Sequence, residues 1–434
     1  MMRRWIIKTW VGALLILGLA GCGGSVGNPD NPPAVDGKVV VDFPADTLKQ
    51  KLLKEKTPGV DENTTVFGYT AYRIEYDTTD EKGQSVRASG LMVVPSDTGV
   101  DAATQAKLEQ MRRVGLSVVE DAHGTIFADR EAPTVVAEAT MEPEGSPILL
   151  SALGGFVTLQ PDYIGFGASA GHVHPYLLDR PSAQTMIDFV RAAKSFAQKN
   201  GIPLNGQLYL TGYSEGGYVA MAALKAIEAG EDPGLTTVAA APMAGPYMMD
   251  RMAQGVLSQP RLPIPSFIAA VGYSYSLAYG HELNETIQEP WASDLPNLFD
   301  GSLSREEIDA QLPHATTGSG GLFTAQAVNG VLKDPNFWLS QALLANSTAY
   351  WAPQTPIYLA QCMGDDVIPF AMSQGTQKVM QKMGAASVTL IPVEAAITGD
   401  PHTSLRLGHA ECAAPAYGVA AHLFAKIRKS SVGY

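Results

Sequence analysis

A serine with glycines two positions before and after it is the strongest chemical signal in this sequence. The motif reads Gly212-Tyr213-Ser214-Glu215-Gly216. A strand-like run precedes it and a helix-forming run follows, which is the context of a nucleophile elbow. In that turn the backbone leaves no room for side chains at the flanking positions, and the serine projects near a helix N-terminus. The alternative is a serine that only caps a helix in a glycine-rich turn.

A serine hydroxyl needs a histidine as base and a carboxylate that orients the histidine. In chains with this elbow they follow the serine in the order Ser, Asp, His. Asp365 and Asp366 come just after the strand-like run 356–361, and the carboxyl end of a strand is where the acid belongs. His409 precedes the last predicted helix, and His402 is its rival. The residues therefore predict a Ser-His-Asp triad with two candidate acids and two candidate bases.

Strand and helix patterns alternate around these residues. Strands are predicted at 115–120, 155–160, 207–210, 236–241, 356–361 and 387–393, and helices at 182–199, 215–229, 371–383 and 413–429. Two earlier runs, 66–76 and 85–95, predict an antiparallel hairpin at the edge of the sheet. The alternation predicts an α/β fold with a mostly parallel sheet and helices on both faces.

The alternation stops at about 245–352, which we interpret as a helical cap inserted over the sheet. Ser304 and Glu307 have the spacing of a capping box and predict a helix there. The apolar, tyrosine-rich run 267–279 has two interpretations. It would suit the wall of an acyl pocket, and ordinary helix packing, slightly favoured, would produce the same composition.

The N-terminus has the features of an export signal. Three basic residues lie among the first eight, and the apolar run 11–19 is too short for a permanent membrane helix. Small residues then precede Cys22, which resembles the lipobox of bacterial lipoproteins. That resemblance implies cleavage before Cys22, which leaves a signal peptide at 1–21, and lipidation of Cys22. Residues 23–37 are rich in Gly, Pro, Asn and Asp, so we expect the lipidated cysteine and a flexible tether at 22–37 and the hydrolase domain at 38–434. An ordinary signal peptide with a chance cysteine is the alternative.

Composition narrows the range of partners. The chain has 434 residues, of which 46% are hydrophobic and 17% charged, and its formal net charge is −13. An acidic chain disfavours nucleic acid and anionic lipid as partners. His172 and His174 are two residues apart, but no matching set of metal ligands accompanies them. We expect no metal, no cofactor and no nucleic-acid partner, and the sequence does not indicate an oligomeric state.

Four motifs together resemble secreted and lipoprotein α/β-hydrolases of the esterase and secretory-lipase type. The likeness runs from about 66 to 428 and is weakest in the cap. The motifs are Ala122-His123-Gly124-Thr125 with Ala132-Pro133-Thr134, Pro161-Asp162-Tyr163-Ile164-Gly165-Phe166-Gly167, the elbow, and Asp365-Asp366-Val367-Ile368-Pro369 with His409-Ala410-Glu411-Cys412-Ala413-Ala414-Pro415.

The resemblance implies roles for particular residues. The acid of the family stands four residues before the proline, which is Asp365, and its histidine opens a His-x-x-Cys-x-x-Pro segment, which is His409. The oxyanion would be held by the amide of Glu215 and by an amide of the loop at Gly124 or Thr125.

Two residues near that loop each have a structural and a catalytic interpretation. We expect His123 to shape the loop rather than to transfer protons, and Asp162 to stabilise a turn rather than to act in catalysis. Relatives usually carry a glycine three residues before the acid, where this chain has Cys362.

Cys362 and Cys412 acquire a possible relation if this triad is right. Cys362 lies three residues before Asp365, and Cys412 lies three residues after His409. Contact between acid and base would then bring the sulfurs close enough for a disulfide, which an exported protein permits. Two buried free thiols are the alternative.

We therefore expect a serine hydrolase that cleaves carboxylic esters outside the cytoplasm, held at a bacterial membrane by its N-terminal lipid. The substrate would be a small-molecule or lipid ester. A serine peptidase of similar fold is the second hypothesis, because the same triad cleaves amides. A non-catalytic surface-binding lipoprotein is the third.

Overall fold

The strands form one sheet in the computed structural model, which describes residues 35–57, 59–142 and 145–434. In this part of the chain the strands are β1 (Asp36–Phe43), β2 (Gly68–Thr79), β3 (Ser85–Ser96), β4 (Leu116–Ala122), β5 (Val157–Pro161), β6 (Leu204–Tyr213), β7 (Thr236–Met243), β8 (Ile357–Gln361) and β9 (Val388–Pro392). Their order across the sheet is β1-β2-β3-β5-β4-β6-β7-β8-β9. Cys22 and residues 1–21 lie outside the described residues.

Most of the sheet is parallel. Strands β5, β4, β6, β7, β8 and β9 pair in parallel, whereas β1, β2, β3 and β5 pair antiparallel. This confirms the predicted α/β-hydrolase fold class. The hairpin of β2 and β3 is also confirmed, but its predicted place at the edge is wrong. Strand β1, which includes the last two residues of the predicted tether, pairs with β2 and occupies the edge.

Helices cover both faces of the sheet. Those outside the cap are α1 (Ala45–Lys54), α2 (Ala102–Val114), α3 (Pro133–Thr140), α4 (Asp179–Lys199), α5 (Glu215–Glu228), α13 (Ala371–Met383), α14 (Val393–Thr398) and α15 (His409–Val432). On β6, Leu208 and Leu210 belong to the core cluster that contains Phe189 of α4. Tyr209, between them, faces the other way and packs against Phe424 of α15 at 4.9 Å between ring centroids. Burial on both faces explains why Leu208, Tyr209 and Leu210 are all apolar, with no polar residue alternating between them.

The cap region lies between β7 and β8. Its helices are α6 (Met249–Leu257), α7 (Pro265–Tyr279), α8 (Leu283–Thr286), α9 (Trp291–Leu298), α10 (Arg305–Asp309), α11 (Ala325–Lys333) and α12 (Trp338–Ala345). Helix α10 begins with the predicted capping box, in which the Ser304 amide donates to the Glu307 carboxylate at 2.7 Å. Among the described residues, no helix has both the length and the apolar character that crossing a membrane requires.

The sheet places the candidate catalytic residues at one edge. Ser214 follows β6 and Asp365 lies four residues after β8, so both stand beyond the carboxyl ends of parallel strands. The last helix was predicted to begin at 413, and this boundary is wrong. Helix α15 begins at His409 itself, so the candidate base sits in the first turn of a helix.

Candidate active site

Ser214 has a backbone conformation that few residues other than glycine adopt, with a φ of 61°. Its amide donates to the carbonyl of Met243 at 2.9 Å. A β-carbon added to Gly216 would lie 1.9 Å from the Ala122 carbonyl oxygen, and one added to Gly212 would lie 2.4 Å from the Gly216 carbonyl oxygen. Both glycines are therefore required by close backbone packing, which holds the serine in its strained turn.

The side chains of Ser214, His409 and Asp365 form a continuous hydrogen-bonded chain. The Ser214 hydroxyl lies 2.9 Å from His409 Nε2. The other ring nitrogen, Nδ1, lies 2.9 and 3.0 Å from the two oxygens of Asp365. The amides of Val367 and Ile368 donate to the same carboxylate at 3.0 and 2.9 Å. The Asp365 side chain is wholly buried, so its oxygens are held by these donors rather than by water.

The rival residues lie elsewhere. Asp366 accepts the backbone N–H of His409 at 2.9 Å, and this hydrogen bond holds the pKa of Asp366 below its ordinary value. His402 is exposed in the loop before α15, where its amide donates to Asp400. Asp366 thus caps the helix that carries the histidine, while Asp365 contacts the ring.

A buried glutamate joins the loop that carries Asp365 (362–370, the acid loop) to the loop before His409 (399–408, the histidine loop). The carboxylate of Glu394, at the start of α14, accepts the amides of Met363 at 2.8 Å, Gly364 at 3.1 Å and Leu407 at 3.2 Å. Sequence reasoning missed this residue, because its partners are backbone amides of two other segments. Its only signal is a charged residue directly after the apolar run of β9.

Cys362 and Cys412 are bonded to each other in the structure, with an S–S distance of 2.07 Å and a Cα–Cα distance of 5.9 Å. Both are fully buried. Cys362 directly follows β8, and Cys412 lies in the first turn of α15, so the bond links the strand before Asp365 to the helix that begins at His409. It therefore joins the same two segments that Glu394 joins.

The predicted oxyanion residues surround the elbow. Glu215 is the first residue of α5. Gly124 lies so close to the elbow that an added β-carbon would be 3.4 Å from the Tyr213 carbonyl oxygen. The Thr125 hydroxyl lies 3.0 Å from that of Tyr176, which lines a cavity beside Ser214.

The turn after β5 supports this loop. The ring of His123 stacks on Tyr163 at 4.0 Å between centroids, and the Tyr163 hydroxyl donates to the His123 carbonyl at 2.9 Å. Asp162 is buried and accepts the amide and the hydroxyl of Thr134 at 2.9 and 2.6 Å, together with the hydroxyl of Ser89. Burial raises the pKa of Asp162, and these donors partly offset that effect. His123 and Asp162 thus both act on the backbone around the loop.

An apolar cavity of about 150 Å³ opens beside Ser214. Two cap helices supply much of its wall, with a short stretch of the acid loop opposite. The cap residues are Met249, Met252, Ala253 and Val256 of α6 and Phe267, Ile268 and Val271 of α7. The tyrosine-rich run 267–279, which we expected to serve mainly in helix packing, therefore also lines the cavity on one face.

His172 and His174 do not form a pair. His172 is exposed, whereas His174 Nε2 lies 2.7 Å from the Glu215 carboxylate and its Nδ1 lies 2.8 Å from the Ile164 carbonyl oxygen. Within the described ranges, no three His, Cys, Asp or Glu side chains are grouped so that they could hold a metal ion. Sequence reasoning missed the contact between His174 and Glu215, because the two residues are 41 positions apart.

Comparison with protein families gives one match, to the model of the secretory lipases, over residues 140–413. This range is more than half of the chain and includes the elbow, the cap, the acid loop and His409. Among curated proteins, no sequence matches the chain significantly.

Several solved structures have a similar fold. A protein of Legionella pneumophila described as a hydrolase superposes with a TM-score of 0.76 at 22% identity, covering 91% of this chain and 98% of that one. The rice cell wall degrading esterase LipA of Xanthomonas oryzae gives 0.71 at 22%, covering 91% and 97%. Candida antarctica lipase A gives 0.57 at 14%, covering 86% and 76%. At these identities the likeness establishes the fold.

The bond between Cys362 and Cys412 leads to the first prediction. Protein lacking residues 1–22 contains only these two cysteines, and thiol titration of the unfolded, unreduced chain should find neither free. The double variant Cys362→Ser, Cys412→Ser should unfold with a free energy lower by about 2–4 kcal/mol, because the bond closes a long loop in the unfolded chain. Denaturant unfolding measures this loss. Two free thiols in the wild-type protein would contradict the bond directly.

Proposed function

The chain belongs to the secretory lipase family, and from this premise we propose that it is an ester hydrolase that cleaves carboxylic esters with apolar acyl chains. The observation that carries the proposal is the 2.9 Å contact between Ser214 and His409 at the mouth of an apolar cavity. A nucleophile that shares a hydrogen bond with its base, beside a pocket lined mostly by apolar side chains, suits an acyl group better than a peptide chain.

In the proposed reaction, His409 Nε2 takes the hydroxyl proton as Ser214 Oγ attacks the ester carbonyl. The carbonyl oxygen becomes an oxyanion, and His409 then gives the proton to the departing alkoxide, which leaves as the alcohol. Water attacks the resulting acyl-serine by the same route, and the free acid leaves. Asp365 fixes the ring so that Nδ1 carries a proton and Nε2 is free to accept one.

The oxyanion would be stabilised by the amide of Glu215 and by an amide of the loop at Gly124 or Thr125. The first amide belongs to the N-terminal turn of α5, where backbone N–H groups have no helical partner. The second comes from a separate segment that packs against the elbow. Loss of one such donor typically lowers the rate by about 100- to 1000-fold.

The acyl chain would lie between α6 and α7. Methionine and branched side chains on these helices give a wall that adapts to an apolar chain without demanding hydrogen bonds. Each methylene buried there would contribute about 0.8 kcal/mol. Preference for chain length is therefore a property of the cap, whereas bond cleavage depends on the residues at the edge of the sheet.

We also propose that Cys22 carries a lipid that holds the enzyme at a bacterial membrane. Small residues before this cysteine, and the glycine- and proline-rich stretch that follows, support the proposal. A tethered hydrolase would meet its ester outside the cytoplasm.

Replacement of the triad residues tests the chemistry. Ser214→Ala and His409→Ala should each lower kcat for p-nitrophenyl butyrate by about 10⁴-fold or more, because nucleophile and base act as one unit. His402→Ala is the matched control and should keep wild-type turnover, since its exposed side chain lies away from the hydroxyl. Ser214→Ala should also lose covalent labelling by a fluorophosphonate. Peptide cleavage without ester turnover would instead favour the peptidase hypothesis.

Filling the cavity tests the acyl site. Ala253→Phe places a ring among the cavity residues of α6, so the ratio of kcat/KM for p-nitrophenyl octanoate to that for the butyrate should fall about tenfold or more. Arg251→Phe introduces the same side chain at an exposed position of the same helix and should leave the ratio unchanged. An unchanged ratio in Ala253→Phe would show that the acyl chain binds elsewhere.

Membrane attachment is tested with the full chain in a bacterial host. The wild-type protein should fractionate with membranes and incorporate labelled palmitate, whereas Cys22→Ser should do neither, because it lacks the thiol that accepts the lipid. Equal membrane recovery of both forms would argue against lipidation.

A further inference from the structure

His174 makes two hydrogen bonds whose proton requirements differ. Its Nδ1 lies 2.8 Å from the Ile164 carbonyl oxygen, and its Nε2 lies 2.7 Å from Oε1 of Glu215. A carbonyl oxygen can only accept, so Nδ1 must carry a proton. The contact at Nε2 then needs a second proton, which sits either on the ring or on the glutamate. The pair therefore binds one proton more than a neutral imidazole beside a carboxylate would.

The surroundings give this proton importance. The Glu215 side chain is 1% exposed and that of His174 is 13% exposed. Glu215 Oε2 is buried without a hydrogen-bond partner. In the described part of the chain, no lysine or arginine nitrogen lies within 4.0 Å of this carboxylate. If the shared proton leaves, two acceptors face each other at 2.7 Å and a negative charge is left buried, which is costly.

The groups around the pair do not supply another proton. The nearby tyrosine hydroxyls are bonded elsewhere: those of Tyr163 and Tyr218 donate to the carbonyls of His123 and Leu177, and that of Tyr176 lies 3.0 Å from the Thr125 hydroxyl. Burial raises the pKa of all three well above its ordinary value. The ring of His123 lies beyond Tyr163, 4.0 Å from it between centroids. The His174 ring is parallel to that of Tyr163, with 5.7 Å between their centroids.

The pair connects the two parts of the proposed oxyanion hole through a series of contacts. One half is the amide of Glu215 itself. The other is the 123–125 loop, which is held by Tyr163 through the His123 carbonyl and by Tyr176 through the Thr125 hydroxyl. Tyr163 and Tyr176 flank the segment that carries both Ile164 and His174. The contact between His174 and Glu215 therefore connects the segment 163–177, which supports the 123–125 loop, to the first residue of α5.

A second hydrogen bond connects α5 to this segment farther along the helix. The Tyr218 hydroxyl donates to the Leu177 carbonyl at 2.9 Å. This neutral bond keeps α5 against the same segment when His174 is replaced. Such a variant should therefore fold and report on the geometry near Ser214.

We propose that His174 is a positioning residue for ester hydrolysis. By sharing a proton with Glu215, it sets the separation between the Glu215 amide and the 123–125 loop, so that both donate to the same oxyanion. The inference rests on the proposed function, because the two segments need a fixed separation only if they bind one developing charge. Loss of this contact would loosen the arrangement while leaving the Ser214–His409–Asp365 contacts in place.

The test compares His174→Gln with His172→Gln, a change at the exposed histidine two residues earlier. For p-nitrophenyl butyrate, His174→Gln should lower kcat by about ten- to hundredfold with KM nearly unchanged, less than the loss of an oxyanion donor itself. The rate of fluorophosphonate labelling at Ser214 should fall in parallel. His172→Gln should match the wild type in both measurements.

Glu215→Gln provides a second, independent measurement. Its side-chain amide can donate to a neutral His174 ring, so the contact no longer needs a shared proton. The labelling rate of Glu215→Gln should therefore exceed that of Glu215→Ala, whose side chain cannot reach His174. In the His174→Gln background, Glu215→Gln should recover part of the lost rate, because it removes an uncompensated buried charge.

The outcomes separate this inference from the proposed function. Wild-type kcat in a folded His174→Gln variant, or a KM effect alone, would overturn the positioning role. If that variant does not fold, equal labelling rates of Glu215→Gln and Glu215→Ala would overturn it. If the protein is labelled at Ser214 but hydrolyses no ester, the proposed function is wrong, and the effect of His174 on labelling can still be measured. If the protein is not labelled and hydrolyses no ester, both the proposed function and the role of His174 are wrong.

Discussion

The 2.9 Å hydrogen bond between Ser214 and His409 joins residues that are 195 positions apart. The other features of the site hold these two side chains in contact. Neither residue is held by its own segment alone. The serine depends on glycine contacts with the backbone of β4, since a β-carbon at Gly216 would collide with Ala122. A strained φ persists only where surrounding packing determines it. The nucleophile is therefore a property of the packed sheet.

On the histidine side, three unlike interactions connect the same two loops. A disulfide acts on the unfolded chain, Glu394 binds three amides, and Asp366 binds the first amide of α15. Asp366 is exposed and its folded pKa is depressed. Its contribution to stability is thus present above its unfolded pKa and is lost as pH falls through the folded value. The disulfide does not titrate, so it keeps the two loops joined when acid weakens the cap of α15.

The sequence was sufficient to predict the residues whose chemical role requires a particular position in the fold. A nucleophile elbow, an acid after a strand and a base near the last helix can be recognised one segment at a time. Helix α2 was not predicted, although the sequence contains signals for it. Asp101 caps the helix, and Leu108 and Met111 face the core. Glu394 is different. Whether a glutamate after a strand is solvated or buried depends on amides from segments that only the folded chain brings near, and the same holds for Glu215.

The cavity could not be separated from the core in the sequence, because both need the same residues. Helix α7 is buried without a break from Ala269 to Ser276, so its pattern has no polar face to reveal which side meets a ligand. Val271 lines the cavity, whereas the Tyr275 hydroxyl donates to the Leu177 carbonyl on another side. Apolar contacts of this kind bind substrate and transition state alike, and accelerate the reaction little. In the proposed reaction, selectivity for the acyl chain would therefore depend on the cap, and the rate would depend on the charge that develops at the elbow.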